Sequence, residues 1–223
     1  MSLVPKKTPL VVKKMFPNYV WNITTNDKVL YLTFDDGPTP EITEWTLDVL
    51  KKYNAKATFF CIGNNIEKHP DIFQKTIKQG HAIGNHTHNH VKGWKTKTSE
   101  YLSNVNLCKS VLKSLIPNSK KTGNSQSTNV NLFRPPYGRI KPKQAKTLIG
   151  SGYYIIMWDV LSFDWDKSIS KEKCLENVLE NTVNGSIIVF HDSVKASKNM
   201  MYALPKVLES YSKLGYEFKS LKF

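Results

Sequence analysis

Short runs of β-branched and aromatic residues alternate along this chain with longer stretches of helical apolar period, the pattern of βα units that feed a parallel sheet. Seven strands are predicted, at Val29–Asp35, Ala57–Ile62, His81–Asn85, Asn131–Arg134, Tyr153–Trp158, Ser186–His191 and Tyr216–Lys219. Between them the spacing predicts helices over Pro70–Gln79, Thr98–Ile116, Pro142–Ile149, Ser170–Val183 and Ala203–Leu214. Gly80, Gly150 and Gly215 stand where a left-handed C-cap is wanted. An earlier helix is expected to open with Thr39 as N-cap and Pro40 at its first position, and to bury a stripe of Ile42, Trp45, Val49 and Tyr53.

Pro117–Val130 is polar and without period, so it reads as a surface loop or insertion inside the fold. Residues 1–26 fall outside the alternation and suggest an N-terminal arm or small hairpin, leaving 27–223 as the main domain. At 223 residues, one large domain is favoured over two. No apolar run reaches the length of a membrane-spanning helix, so no transmembrane segment is expected. With 40% hydrophobic and 11% aromatic residues, disorder is excluded.

Charge adds a second theme: 32 basic against 18 acidic residues gives +14, which favours anionic partners. Only Arg134 and Arg139 are arginines, however, and base recognition prefers arginine, so a solvated lysine surface is expected and no nucleic-acid partner. Cys61, Cys108 and Cys174 lie in apolar patterns and are expected as buried thiols. The start of the chain has no sustained apolar segment or small-residue cleavage pattern, so no signal peptide is visible.

Chemistry gathers where the predicted strands end: Asp35-Asp36-Gly37-Pro38, His86 to His90, Arg134 to Gly138, Asp159 to Asp166, and His191-Asp192. In parallel α/β folds such loops share one face, so these residues are expected to converge. Adjacent carboxylates Asp35 and Asp36 call for a neutralising cation or arginine, although an Asp-Gly-Pro turn alone also accounts for them. His86 and His90, four apart, share a face on a helical turn and with Asp36 make a metal site, His88 pointing elsewhere. That set leaves coordination positions open, as a catalytic dication requires; zinc is the first choice, with cobalt or another transition dication possible. Arg134, stiffened by Pro135 and Pro136, is placed to hold Asp35. Asp164 offers a carboxylate to orient His191, and Trp165 an apolar wall; alone, His191 reads equally as a core histidine.

Together, and in this order, these segments resemble the polysaccharide deacetylases of carbohydrate esterase family four, which share the NodB homology domain. Thr33-Phe34-Asp35-Asp36-Gly37, His86 to His90, Arg134-Pro135-Pro136-Tyr137-Gly138, Asp164-Trp165 and Val189-Phe190-His191 match its five motifs over roughly residues 27–220. The resemblance implies a distorted (β/α) barrel of about seven parallel strands. It also implies N-deacetylation of a peptidoglycan or chitin-like polymer, with Asp36, His86 and His90 binding the metal. Asp35 is then the general base, His191 the general acid, Arg134 and Asp164 their supports, and the Tyr137 backbone N–H the oxyanion donor. Trp165 and Val189 line the pocket for the acetyl methyl. Val189 stands where the family usually has leucine, and His88 is an addition between the ligands.

The family's usual setting implies the cell envelope or exterior, and the cytoplasm if this start is native. Rival readings are a metal-dependent esterase or amidase on another substrate, such as acetylxylan, and a catalytically silent carbohydrate-binding homologue. The motifs fix neither the sugar nor an oligomeric state.

Overall fold

The computed structural model describes residues 5–116 and 131–223; the loop expected at Pro117–Val130 lies outside them. In chain order the first elements are α1 (Leu10–Met15), β1 (Tyr19–Val20), β2 (Val29–Asp35), α2 (Ile42–Lys52), β3 (Ala57–Cys61), α3 (Gly63–Lys68) and α4 (Pro70–Lys78). Next come β4 (Ala82–Asn85), α5 (Thr98–Leu115), β5 (Leu132–Phe133), α6 (Pro142–Gly150), β6 (Tyr154–Ile156) and β7 (Val160–Leu161). The chain closes with α7 (Lys171–Leu179), β8 (Ile187–His191), α8 (Ser197–Lys213) and β9 (Glu217–Phe218). The strands form one curled sheet in the order β1-β6-β5-β4-β3-β2-β8-β7, with β9 added beside the first residues of β2. Every pairing between these strands is parallel, as in a distorted (β/α) barrel.

The period-2 rule of strands explains how this sheet makes both a core and a site. On β2, Leu30, Leu32 and Phe34 point into the layer of helices, where Phe34 stacks on Phe59 of β3 at 5.0 Å between ring centroids. Thr33 and Asp35 then face the concave side, where a single arginine binds both. β8 splits likewise: Ile188 and Phe190 join the helical core, and Val189 and His191 face inward. Because Asp35 and His191 are register partners, the two site residues leave adjacent strands at the same height.

All seven predicted strands are present, several trimmed at their ends, and the two-residue β1 and β7 are additions too short to show alternation. The α2 stripe is buried or packed on the core, but α2 begins at Ile42 after a left-handed Glu41 (φ 64°), not at Pro40. Thr39 does not cap with its side chain; its N–H donates to Thr43 Oγ1 at 2.7 Å. Gly150 ends α6 inside the helix, and Gly152 takes the left-handed position (φ 82°). α8 starts six residues ahead of the expected Ala203, at Ser197, and runs through Pro205, because burial of Met200, Leu204, Val207 and Leu208 outweighs one missing helical donor. The three cysteines are free and buried.

The N-terminal segment touches both ends of the open sheet. β1 pairs with β6, while Lys7 bridges Val160 of β7 in antiparallel fashion. Lys7 and Lys13 each reach the buried Asp159 carboxylate at 2.7 Å, and Trp21 packs into the cluster of Phe133, Tyr153 and Ile155. Residues 7–21 thus span the seam a full barrel closes with a further βα unit.

Candidate active site

Asp36 follows β2 in a left-handed conformation (φ 83°), one that aspartate tolerates better than most residues. Its carboxylate Oδ1 lies 3.2 Å from His90 Nε2 and 3.6 Å from His86 Nε2, and the three ligand atoms fall within 4.8 Å of one another. The histidines do not share the helical face that their spacing predicts. They lie in a bend where Thr87 (φ 63°) and His90 (φ 51°) are both left-handed, and this folds the rings to 5.1 Å between centroids. His86 Nδ1 donates to the Arg134 carbonyl at 2.8 Å, since a carbonyl can only accept, and that tautomer leaves Nε2 with its lone pair toward Asp36. Burial pushes His90 down to about 4, reinforced by His86, so its imidazole is neutral and able to ligate.

A dication fits this set. Asp36 Oδ1 is buried with no hydrogen-bond partner, a costly state unless a cation completes it, and two imidazoles with one carboxylate suit a transition dication. His88 is no part of the cluster; its Nε2 faces Glu67 at 3.6 Å.

Asp35, one residue back, is buried against the fully buried Arg134, Oδ1 to Nη1 2.8 Å. Arg134 also donates to Thr33 Oγ1 (2.7 Å), Ile156 O (3.1 Å) and Met157 O (2.8 Å), and its guanidinium stacks 4.2 Å above the Phe60 ring. Desolvation raises the Asp35 pKa, but Arg134, then His86 and His191, outweigh it, and the net shift is downward. The carboxylate is therefore ionised, and one Nη1 hydrogen bond from a guanidinium fixed by its other donors sets its direction.

His191 leaves the end of β8 with Nδ1 2.8 Å from Asp164 Oδ1, while Asp164 Oδ2 accepts the His191 backbone N–H at 2.7 Å. Burial alone lowers an imidazole pKa; here Asp164, then Asp36 and Asp35, reverse it and hold His191 at about 9. The Trp165 ring packs edge-on to His191 at 4.8 Å, and Val189 lies in a small apolar cluster with Leu161 and Phe163, against which Trp165 packs. Tyr137, after Pro135 and Pro136, is left-handed (φ 59°), an uncommon conformation for a bulky residue, and its exposed ring lies 4.6 Å from His90. The structure thus brings every predicted site residue to one end of the sheet.

Sequence reasoning assigned no role to Asp192 and Thr43, which brace the turn after Asp36. Asp192 accepts the Gly37 N–H at 3.1 Å and the Thr43 hydroxyl at 2.5 Å. A Cβ at Gly37 would lie 2.0 Å from Asp192 Oδ2, so only glycine allows that approach. The available signal was a second acid directly after His191.

Residues 22–156, well over half the chain, match the family model described as polysaccharide deacetylase. A peptidoglycan-N-acetylglucosamine deacetylase of Bacillus cereus is 35% identical over 213 residues, covering 94% of each chain. The peptidoglycan-N-acetylmuramic acid deacetylase PdaC of Bacillus subtilis is 29% identical over 195 residues, 87% of this chain and 38% of that protein. Among solved structures, the Bc1960 peptidoglycan N-acetylglucosamine deacetylase in complex with 4-naphthalen-1-yl-N-oxidanyl-benzamide superposes with a TM-score of 0.84. It is 32% identical, over 96% of this chain and 95% of that one. The chain belongs to the polysaccharide deacetylase family, carbohydrate esterase family four, and is an enzyme of that class.

Proposed function

We propose that this enzyme hydrolyses N-acetyl groups on the amino sugars of a cell-wall polysaccharide, peptidoglycan foremost, releasing acetate. The carrying observation is the orphaned Asp36 Oδ1 between two histidines, flanked by an acid held ionised and an imidazole held protonated. Asp36, His86 and His90 would hold one divalent cation, zinc in the first instance. When bound, such a cation supplies Lewis-acid chemistry, lowering the pKa of water toward ~7 and polarising a carbonyl.

The remaining steps belong to side chains and backbone of this chain. Asp35 accepts a proton from the attacking water, and Arg134 keeps that carboxylate charged and aimed. The Tyr137 N–H donates to the oxyanion that develops on the amide oxygen, a contact typically worth ~3 kcal/mol of barrier. As the C–N bond breaks, His191 delivers its proton to the departing sugar nitrogen, with Asp164 holding Nδ1. Trp165 and Val189 line the space for the acetyl methyl. In this reading residues 27–223 are the catalytic domain, residues 1–26 a structural arm, and the site of action the cell wall, as the relatives' names suggest. Among the described residues no helix is long and apolar enough to cross a membrane.

Acetate release from peptidoglycan, N-acetylated chito-oligosaccharides and acetylxylan tests the reading. We expect the amide substrates to be cleaved in preference to the ester. His191→Ala should lower turnover at least ~10-fold with metal content unchanged, whereas His86→Ala should lose both metal and activity. Full turnover by a verified metal-free His86→Ala protein contradicts the assignment.

A further inference from the structure

A row of aromatic and cationic side chains runs outward from the metal triad, and the reaction steps above do not use it. The Tyr137 ring stands 4.6 Å from His90 and is 52% exposed. The half-buried Trp94 ring meets it edge-on at 5.5 Å, and the exposed Arg139 guanidinium lies over the Trp94 face at 4.6 Å. Lys92 Nζ lies 5.4 Å from the centre of the Tyr137 ring.

This platform is built rigidly from two segments. Gln144, fully buried, donates to Gly93 O at 3.0 Å and accepts the Lys141 N–H at 2.9 Å, and Lys141 Nζ reaches Thr96 O at 2.8 Å. A Cβ on Gly93 would sit 2.9 Å from the Arg139 carbonyl, so the two backbones approach more closely than a side chain allows. The backbones that carry Trp94 and Arg139 are held in mutual position before any ligand arrives, which reduces the ordering cost of binding.

The chemistry of the platform selects its ligand. Partly exposed Trp and Tyr rings beside a polar site offer an apolar face to the C–H face of a pyranose while their polar edges stay wet. Arg139 is one of two arginines in the chain; the other is committed to Asp35, whereas Arg139 pairs with no acid among the described residues. A stacked guanidinium with its fork free is a bidentate carboxylate receptor, which a lysine is not. Its place, ring by ring from His90, is within a short oligosaccharide's reach of the triad. Resting on the deacetylase reading, we propose that Trp94, Tyr137 and Arg139 form a subsite for a carboxylate-bearing sugar next to the sugar whose acetyl group is removed.

Such a carboxylate is carried by the lactyl and peptide substituents of a muramoyl residue, or by a uronic acid branch on xylan. The test compares zinc-loaded wild type with Arg139→Gln, Arg139→Lys and Trp94→Leu. Substrates are a muramoyl-containing tetrasaccharide with free carboxylates, the same compound amidated, neutral N-acetylchitotetraose, and an acetylated xylo-oligosaccharide branched with glucuronic acid. Wild type should favour the free acid over its amide by about tenfold in kcat/KM, and Arg139→Gln should remove that preference through KM with kcat retained. Arg139→Lys should restore it only in part, and Trp94→Leu should raise KM for every oligosaccharide. A preference confined to the uronic acid branch assigns the carboxylate to xylan and retains the subsite. Wild type indifferent both to amidation and to the uronic acid branch, or Arg139→Gln slowed equally on charged and neutral substrates, overturns the proposal. Wild type inactive on all four substrates removes the deacetylase reading, and the subsite with it.

Discussion

His191 and Asp35 sit at the same height on neighbouring strands, yet opposite environments set their protonation. Arg134 keeps one an anion, and Asp164 keeps the other a cation. An acid must carry its proton to act, so turnover should fall as pH rises through the His191 value of about 9. Asp164→Asn removes the largest upward influence, and the alkaline limb of the kcat profile should move down toward the ordinary 6.5, which a pH–rate series reads directly. An unmoved limb would separate Asp164 from the acid. These residues were legible because each is a rare, reactive type at a predicted strand end. Asp192, Thr43, Gln144 and Trp94 were not, because their roles arise only where segments distant in sequence cross.

At the scale of elements, β3 and β4 show how tightly the sheet supports the chemistry. A Cβ on Gly84 would lie 2.4 Å from the Phe60 ring, and that ring is the floor on which the Arg134 guanidinium rests at 4.2 Å. Gly84→Ala should therefore cost about 1–3 kcal/mol of stability by overpacking. It should also lower kcat by tilting Arg134 away from Asp35, with bound metal per chain unchanged. Denaturant melts with metal analysis check this; a variant of full activity contradicts it. The long strands and helices were readable from period alone. β1, β7 and α3 were not, since two residues carry no alternation and the six of α3 carry less than two turns. The start of α2 was misplaced because Thr43, not Thr39, organises the turn, through Asp192 just after β8.

The whole molecule is an incomplete barrel whose seam is crossed by its N-terminal segment. Asp159 is the clasp: desolvation raises its pKa, but hydrogen bonds from Lys13, Lys7 and Ser186 bring it below the ordinary 3.8. A depressed carboxylate stabilises the fold fully above its unfolded value and loses that contribution as pH falls through the folded one. Asp159→Ala should cost roughly 1–3 kcal/mol at neutral pH, speed proteolysis ahead of β2, and flatten the acid side of the stability curve relative to wild type. Equal stability across pH would show the clasp to be idle.

In the proposed reaction Asp36, His86 and His90 hold the dication that an N-deacetylase needs. That role is tested most directly by stripping the protein with a chelator and following acetate release from N-acetylated glycan during a stepwise zinc titration. Release should be absent at the start and should rise linearly to a break at one zinc per chain. Undiminished release from protein verified to be free of metal would contradict it.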